Sequence, residues 1–264
     1  MKKCMAFFLL LCCLSLLPFG SFAEEVVLVD NEHVLCRVTG YGTDWMGNFT
    51  MKLYLENRTD KTVVFTIDNG CVDGYVDDPF WAAELTPQSR ANKEVAWYDL
   101  TQMPTLIEFG FRAYDSNDWF ADDFCKVNAI LYPQGKENVR LRTYTPDADD
   151  VVLFDTADAM MAVTGYDASG FLGYTVYAHL ENRTDNLLMF SVSGATLNGY
   201  SIDPFWATEV PAGRCADVDI MWFSSDLEEN DIDEVEEIML YMRVRDSNDW
   251  FTHDLINHGY RLTP

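Results

Sequence analysis

The chain has 264 residues, 48% of them hydrophobic and 14% aromatic, and this composition argues against disorder because it supplies ample core for two domains of ordinary size. Its 43 acidic residues against 18 basic ones give a net charge of −25, which argues against nucleic acid and anionic membranes as partners. A solvated acidic surface is the simplest interpretation of this charge, and affinity for cations or basic partners is the functional one.

The N-terminus has the pattern of a secretory signal peptide, which we place at residues 1–23. Two lysines precede an apolar run at 5–17, which is shorter than the about 20 residues that a membrane span needs. Small residues at Ser21 and Ala23 predict cleavage after Ala23. We therefore expect a secreted or extracytoplasmic protein without membrane insertion after cleavage, and cell-surface association stays open. Loss of the two lysines changes the net charge to −27.

The rest of the chain is a tandem repeat. Three motifs recur in the same order: Leu-Glu-Asn-Arg-Thr-Asp (55–60 and 180–185), Asp-Pro-Phe-Trp-Ala (78–82 and 203–207) and Asp-Ser-Asn-Asp-Trp-Phe (115–120 and 246–251). The offset is 125 residues for the first two motifs and 131 for the third, because the second copy gains a few residues. We predict two modules, 24–146 and 151–264, joined by a linker at 147–150. The last predicted strand of the first module, 139–144, can also belong to the linker.

Strand periodicity dominates both modules. Residues 48–56 and 62–67 alternate apolar and polar side chains around a polar turn at 57–60, which predicts a β-hairpin. Asn57-Arg58-Thr59 in this turn also fits a glycosylation acceptor. Asp-Gly and Asn-Gly at 73–74 and 198–199 predict tight turns, because glycine accepts a positive φ.

One segment, 225–237, has the composition of a short acidic helix. The remaining pattern is about seven short strands per module separated by turns, which is typical of antiparallel sandwiches. We therefore predict an all-β fold of two tandem antiparallel β-sandwich (Ig-like) domains that arose by internal duplication.

Cysteine and histidine do not follow the repeat. The cysteines that remain after signal cleavage are Cys36, Cys71, Cys125 and Cys215. None has a cysteine at the equivalent position of the other module, so a shared disulfide is excluded, and the pairing is left open with Cys36–Cys125 as one alternative. The histidines are also unmatched, which argues against a repeated metal or acid-base site built on histidine.

Aromatic residues retained in both copies are the candidate ligand contacts. Six of the seven tryptophans form matched pairs, and core packing is the first interpretation of each pair. The functional interpretation is contact with a sugar or a protein partner, for which the candidates are Trp81, Trp119, Trp206 and Trp250. Trp119 and Trp250 lie just after polar turns, where an exposed ring would be accessible.

Four aspartates are the candidate metal ligands. Asp115 and Asp118, like Asp246 and Asp249, put two carboxylates three positions apart in a turn. Oxygen ligands at this density can hold calcium, although the spacing does not fit an EF-hand. Capping of the turn is the alternative, and no other cofactor is predicted.

Catalytic motifs are missing from the sequence. Gly-x-Ser-x-Gly, His-Glu-x-x-His and a phosphate-binding glycine loop are all absent, so we name no catalytic residue and expect no enzyme. The prediction is a non-catalytic binding or interaction protein with a protein or glycan partner. A calcium-assisted carbohydrate-binding protein is the alternative, and a secreted hydrolase is the third.

The motifs Leu-Glu-Asn-x-Thr-Asp, x-Gly-Tyr-x-x-Asp-Pro, Asp-Leu-Glu-Glu-Asn and Asp-Ser-Asn-Asp-Trp occur in this order. With them the chain resembles an uncharacterised extracytoplasmic β-sandwich module of secreted proteins and lipoproteins from Gram-positive gut bacteria. The resemblance covers both halves of the mature chain and implies the fold and the location, but no activity. The chain departs from it in lacking the small residue before a cysteine that lipid attachment requires.

Overall fold

The structure, a computed structural model, describes residues 25–118, 120–170, 172–249 and 253–264. The predicted signal peptide, 1–23, and two candidate ligand contacts, Trp119 and Trp250, lie outside the described residues. Within the described part, regular structure is almost entirely β, so the all-β part of the fold prediction is confirmed. No helix among these residues is both long and apolar enough to cross a membrane.

The first half of the chain forms the strands β1 (Val26–Asp30), β2 (Val34–Thr43), β3 (Phe49–Asn57), β4 (Val63–Val72), β5 (Tyr75–Val76), β6 (Ala82–Leu85), β7 (Arg90–Ala96), β8 (Ile107–Asp115) and β9 (Cys125–Leu131). The second half forms β10 (Val151–Asp155), β11 (Ala159–Gly170), β12 (Gly173–Asn182), β13 (Leu188–Leu197), β14 (Tyr200–Ser201), β15 (Ala207–Val210), β16 (Cys215–Phe223), β17 (Ile238–Asp246) and β18 (Ile256–Leu262). A short helix, α1 (Ser224–Glu229), follows β16 and is confined to the start of the segment predicted as helical.

Each half contains two sheets with the same strand order. In the first half β1-β2-β3-β7 form one sheet, and β5-β4-β8-β9 form the other with β6 paired to β4. In the second half the corresponding orders are β10-β11-β12-β16 and β14-β13-β17-β18, with β15 paired to β13. Buried residues from both sheets of a half pack into one hydrophobic cluster, which is the arrangement of a β-sandwich.

The two cores contain the tryptophans expected there. Trp97 in the first core and Trp222 in the second are both fully buried, which confirms the core interpretation of this pair. Their indole N–H groups donate to equivalent segments, Trp97 to the Asp77 carbonyl (3.0 Å) and Trp222 to the Ile202 carbonyl (2.9 Å). The indoles therefore fix the connection between β5 and β6, and its counterpart, against the core.

The predicted hairpin around residues 57–60 is wrong. β3 pairs with β2 and β7, whereas β4 pairs with β5, β6 and β8, so the turn carries the chain from one sheet to the other. The Asn57 amide donates to the carbonyls of Lys61 (2.7 Å) and Leu85 (3.1 Å), and its oxygen accepts the Thr59 N–H (2.9 Å). These bonds tie the turn to β6 rather than to a hairpin. Alternating side chains identify a strand but not its partner, which explains the error.

The same bonds explain why this motif recurs. Asn182 donates to the carbonyls of Asn186 and Val210 (both 2.7 Å) and accepts the Thr184 N–H (2.9 Å). Asn57 is only 1% exposed and Asn182 only 2%, and their amides are fully engaged in the turn. The motif is therefore a structural turn in both halves, and the glycosylation interpretation does not fit the buried Asn57 amide.

Two further predictions, one of tight turns and one of a strand, have opposite outcomes. The tight turns are confirmed, because both residues of each turn have positive φ: Asp73 (48°), Gly74 (92°), Asn198 (49°) and Gly199 (86°). The predicted strand at 139–144 is wrong. The backbone N–H groups of Arg140 and Arg142 donate to Thr105 Oγ1 and the Asp73 carbonyl (both 2.9 Å), so this segment is bonded to loops of the first half instead of a strand edge.

The two halves are joined by one parallel contact between strands. β5 of the first half pairs with β16 of the second through Tyr75 and Cys215, which makes their sheets continuous. Next to this contact, the Arg214 guanidinium donates two hydrogen bonds (2.6 and 2.7 Å) to the Glu108 carboxylate. We use the name junction for Tyr75, Glu108, Arg214 and Cys215 together with Tyr144, whose ring stacks on His179 of β12.

Candidate functional site

The Asp-Pro-Phe-Trp turns are the most conspicuous surface feature that the two halves share. In each of them the phenylalanine ring projects into solvent, with Phe80 95% and Phe205 96% exposed. Both residues also have a left-handed backbone, with φ of 46° and 50°. For a bulky side chain this conformation is unusual and costs about 1–2 kcal/mol. The turn therefore holds both phenylalanines in a backbone conformation that is unfavourable for this residue type.

The flanking residues explain how this conformation is held. Asp78 Oδ1 accepts the Phe80 N–H (3.0 Å), and Asp203 Oδ1 accepts the Phe205 N–H (2.8 Å). An aspartate that accepts the N–H two residues on closes an Asx turn, and the intervening proline fixes its own φ. The sequence Asp-Pro-Phe thus encodes a backbone turn that presents an outward-facing aromatic ring in each half.

The tryptophan that follows each phenylalanine fastens the turn to the sandwich. Trp81 is half-buried against the first core, and its indole N–H donates to the Glu94 carbonyl (3.1 Å). Trp206 is half-buried against the second core, and its backbone carbonyl accepts the Val192 N–H (3.1 Å). The suggested ligand contact through Trp81 and Trp206 stays a prediction. Phe80 and Phe205, which sequence reasoning did not select, are far more accessible.

The acidic turns after β8 and β17 are held by internal bonds. Lys61 Nζ lies 2.7 Å from Asp115 Oδ2, and the Asn117 N–H donates to Asp115 Oδ1 (3.0 Å). These two interactions hold the pKa of Asp115 below its usual value. Asp118 accepts the Phe120 N–H (3.2 Å), and Asp246 accepts the Asn248 N–H (2.8 Å). Calcium binding by Asp115, Asp118, Asp246 and Asp249 stays a prediction, and the bonds described are those of turn caps.

A different cluster has the composition of a metal site. His179, Glu181 and Cys215 each offer a ligand atom, and these atoms lie within 4.8 Å of one another. In the part of the chain that the structure describes, no other group of three His, Cys, Asp or Glu residues meets this spacing. The cluster lies at the junction, where the Tyr144 ring stacks on the His179 ring with centroids 3.9 Å apart.

Sequence reasoning missed this cluster for an identifiable reason. His179 and Cys215 occupy positions that hold Tyr54 and Arg90 in the first copy, and the unmatched histidines argue against a repeated metal site built on histidine. That inference holds only for a site present in both modules. The usable signal was that a histidine and a cysteine replace residues at diagonal positions of two neighbouring strands, and that the cysteine lies opposite a glutamate that both copies keep.

Comparisons with known proteins give no family. No model of a known protein family matches the sequence, and no curated protein matches it. Among solved structures, the chain is similar to the Salmonella enterica SafA pilin in complex with the SafB chaperone (Type I), with 13% sequence identity. The match covers 89% of this chain and 98% of the other, at a TM-score of 0.23. A TM-score this low supports no inference about function.

Proposed function

We propose that this chain is an extracytoplasmic, non-catalytic binding protein in which two β-sandwich domains, derived by duplication, each present one phenylalanine to a protein partner. The observation that carries the proposal is the pair of exposed rings at Phe80 and Phe205, each held at a positive φ. The export signal expected from the first 23 residues supports the location.

An outward-facing phenylalanine at this position lowers the stability of the free protein. Its ring contributes no burial to the sandwich, and its left-handed backbone costs about 1–2 kcal/mol. Both halves keep a phenylalanine that destabilises the free protein at this position. Burial of the ring in a complex would account for this, because aromatic rings in closed pockets dominate binding energy. A purely structural turn would use asparagine or glycine here instead.

The charges around the rings indicate the chemistry of the partner. Asp77 and Asp78 precede Phe80, Asp203 precedes Phe205, and the whole chain carries a net charge of −25. An apolar pocket with basic residues at its rim would complement this surface and speed association. Because the ring occurs in both halves, a partner with two such pockets would gain avidity from the connection between them.

The test compares residues 24–264 with a variant that carries Phe80→Ala and Phe205→Ala. Tyr98→Ala with Phe223→Ala is the matched control, because these two aromatics also occupy equivalent positions, are 71% and 53% exposed, and do not have positive φ. Proteins captured from extracellular extracts are identified, purified and titrated by calorimetry. We expect the phenylalanine variant to lose about a hundredfold in affinity, since a hot-spot residue contributes at least about 2 kcal/mol.

Two results would contradict the proposal. The first is equal affinity of the wild type and the phenylalanine variant for every captured protein, or no capture at all. The second is a glycan array that binds the wild type and loses binding with the phenylalanine variant, which would assign the rings to sugar stacking. The control variant should bind as the wild type does in either assay.

A further inference from the structure

We propose that His179, Glu181 and Cys215 bind a zinc ion at the junction between the two halves of the chain. This proposal is independent of the exposed phenylalanines and involves no residue of their turns. It rests on the strand register, on an unpartnered buried nitrogen and on the identity of the three ligand types.

The strand register brings the three side chains to one face of one sheet. His179 and Glu181 are two residues apart on β12, so their side chains point to the same side. β12 pairs with β16 in a register that puts Cys215 directly opposite Glu181 and Asp217 directly opposite His179. His179 and Glu181 are already 3.7 Å apart between Nε2 and Oε1.

The two ring nitrogens of His179 have different surroundings. Nδ1 lies 2.8 Å from Asp217 Oδ1, and because a carboxylate only accepts, Nδ1 carries the proton of the neutral ring. Nε2 is then a lone-pair donor, yet it is buried and has no hydrogen-bond partner. Leaving such an atom unsatisfied costs about 1–3 kcal/mol, whereas a metal ion would satisfy it. Metal-binding histidines usually donate the N–H of their other ring nitrogen to a carboxylate or a carbonyl, which fixes the nitrogen that binds the metal and the orientation of the ring.

The ligand types select the metal. One imidazole nitrogen, one carboxylate oxygen and one thiolate sulfur suit zinc, which binds them at about 2.0–2.3 Å in tetrahedral geometry. Calcium and magnesium take oxygen ligands almost exclusively, so a histidine and cysteine pair disfavours both. Ligand atoms of a tetrahedral zinc site are about 3.3–3.6 Å apart, so zinc binding would draw together the three ligand atoms, which now lie within 4.8 Å of one another. Water would complete the fourth position.

The Glu181 carboxylate is held in place by an interaction that occurs in both halves of the chain. Arg183 donates to Glu181 Oε2 from Nε (2.8 Å), which leaves Oε1 directed at His179. The corresponding residues of the first copy, Arg58 and Glu56, make the same type of contact (3.2 Å). Glu181 is therefore oriented by an interaction that both halves share, and His179 and Cys215 supply what the first half lacks.

Zinc binding by Cys215 is coupled to loss of the thiol proton. On zinc binding, the S–Zn bond replaces the S–H bond, and the proton leaves to solvent. The charge of the ion then offsets the carboxylates that otherwise oppose the thiolate.

The cover over the cluster comes from the other half and from the segment between the halves. Tyr75 of β5 has its ring centroid 5.6 Å from that of His179, and Tyr144 stacks on His179 from the connecting segment. The Tyr144 hydroxyl donates to Asp150 (2.6 Å), and the Arg142 guanidinium lies 3.8 Å from the Tyr75 ring centroid. A zinc ion here would lie where the first half, the connecting segment and the second half meet.

The test uses residues 24–264, freed of metal with a chelator and titrated with zinc and with cobalt. We expect one zinc per chain and, for cobalt, the near-ultraviolet charge-transfer band that a thiolate ligand produces. Cys215→Ser should abolish that band and weaken zinc binding about a hundredfold or more. Asp217→Asn, which changes the hydrogen-bond partner of Nδ1, should weaken zinc binding about 10–100-fold and keep the band.

The controls separate this site from general binding of cations by an acidic protein. Cys71→Ser removes a buried thiol outside the cluster and should leave zinc affinity and the cobalt band unchanged. Should Cys215→Ser fold poorly, Cys215→Arg restores the residue found opposite glutamate in the first copy, where Arg90 pairs with Glu56 in the strand register. The proposal is overturned by the absence of a cobalt–thiolate band in the wild type, or by zinc affinity that is unchanged in both Cys215 variants.

Discussion

Replacement of the exposed phenylalanines by asparagine is expected to stabilise the protein while removing its binding surface. Phe80 and Phe205 are almost fully exposed, so asparagine gives up no burial. Asparagine tolerates the left-handed backbone that phenylalanine does not, and relief of a penalty of about 1–2 kcal/mol predicts a gain of about 1 kcal/mol per site. The Asp78 and Asp203 hydrogen bonds to the backbone N–H of each turn are unaffected by the change.

The gain is measurable by calorimetry and by urea unfolding. In a chain of this size 1 kcal/mol corresponds to about 2–4 °C in the unfolding midpoint, and distant sites should add in the double variant. Phe223→Asn is the control, because Phe223 is exposed but has an ordinary φ of −70°. A fall in stability for Phe80→Asn and Phe205→Asn would show that the rings pack against the free protein, and the functional argument from backbone strain would then be refuted.

Four further outcomes are expected. Asn57→Ala should lower the free energy of unfolding by about 2–3 kcal/mol, measured by urea titration, because it leaves buried carbonyls without a donor. Arg214→Ala should destabilise by about 1–3 kcal/mol and broaden the interdomain distances seen by small-angle scattering, since the Glu108 carboxylate loses its partner at the junction. Because the pKa of Asp115 is lowered in the folded state, its carboxylate stabilises the fold at pH values above the unfolded-state pKa of about 3.9. This contribution disappears as the pH falls through the folded-state pKa. Asp115→Asn should therefore flatten the acid limb of a stability–pH curve. Excess calcium should cause no rise in the unfolding midpoint that depends on Asp115, because Lys61 and Asn117 occupy the Asp115 oxygens; a rise that Asp115→Asn abolishes would establish a calcium site at this turn instead.

Features of the fold that depend on local chemistry could be predicted from the sequence. Asp73-Gly74 specifies its own turn because the positive φ values are a property of those two residues. The partner of β3 is not a local property. It depends on the bonds from the Asn57 amide to β6, which lies about 28 positions further along the chain, and on which apolar faces meet in the core.

The exposed phenylalanines could have been predicted from the sequence. Because tryptophan is the more common residue at binding hot spots, we selected Trp81 and Trp206 and not the phenylalanines beside them. Exposure of Phe80 follows from the Asx turn and the neighbouring proline, which direct Trp81 inward and Phe80 outward. The sequence pattern that predicts an exposed side chain here is a non-glycine residue between Asp-Pro and a tryptophan that packs on the core.

The junction cluster could not be predicted from the repeat, because tandem copies have unequal surroundings. In the first half the Arg37 guanidinium of the same sheet lies 4.7 Å from the Tyr54 ring centroid. The equivalent face of the second half lies under Tyr75 and Tyr144, so the position of Tyr54 is filled by a fully buried histidine. Contact between two similar halves of one chain creates such an asymmetric face, and residues there need not follow the repeat. Residues that break the repeat next to a contact are therefore the ones to test first for metal binding.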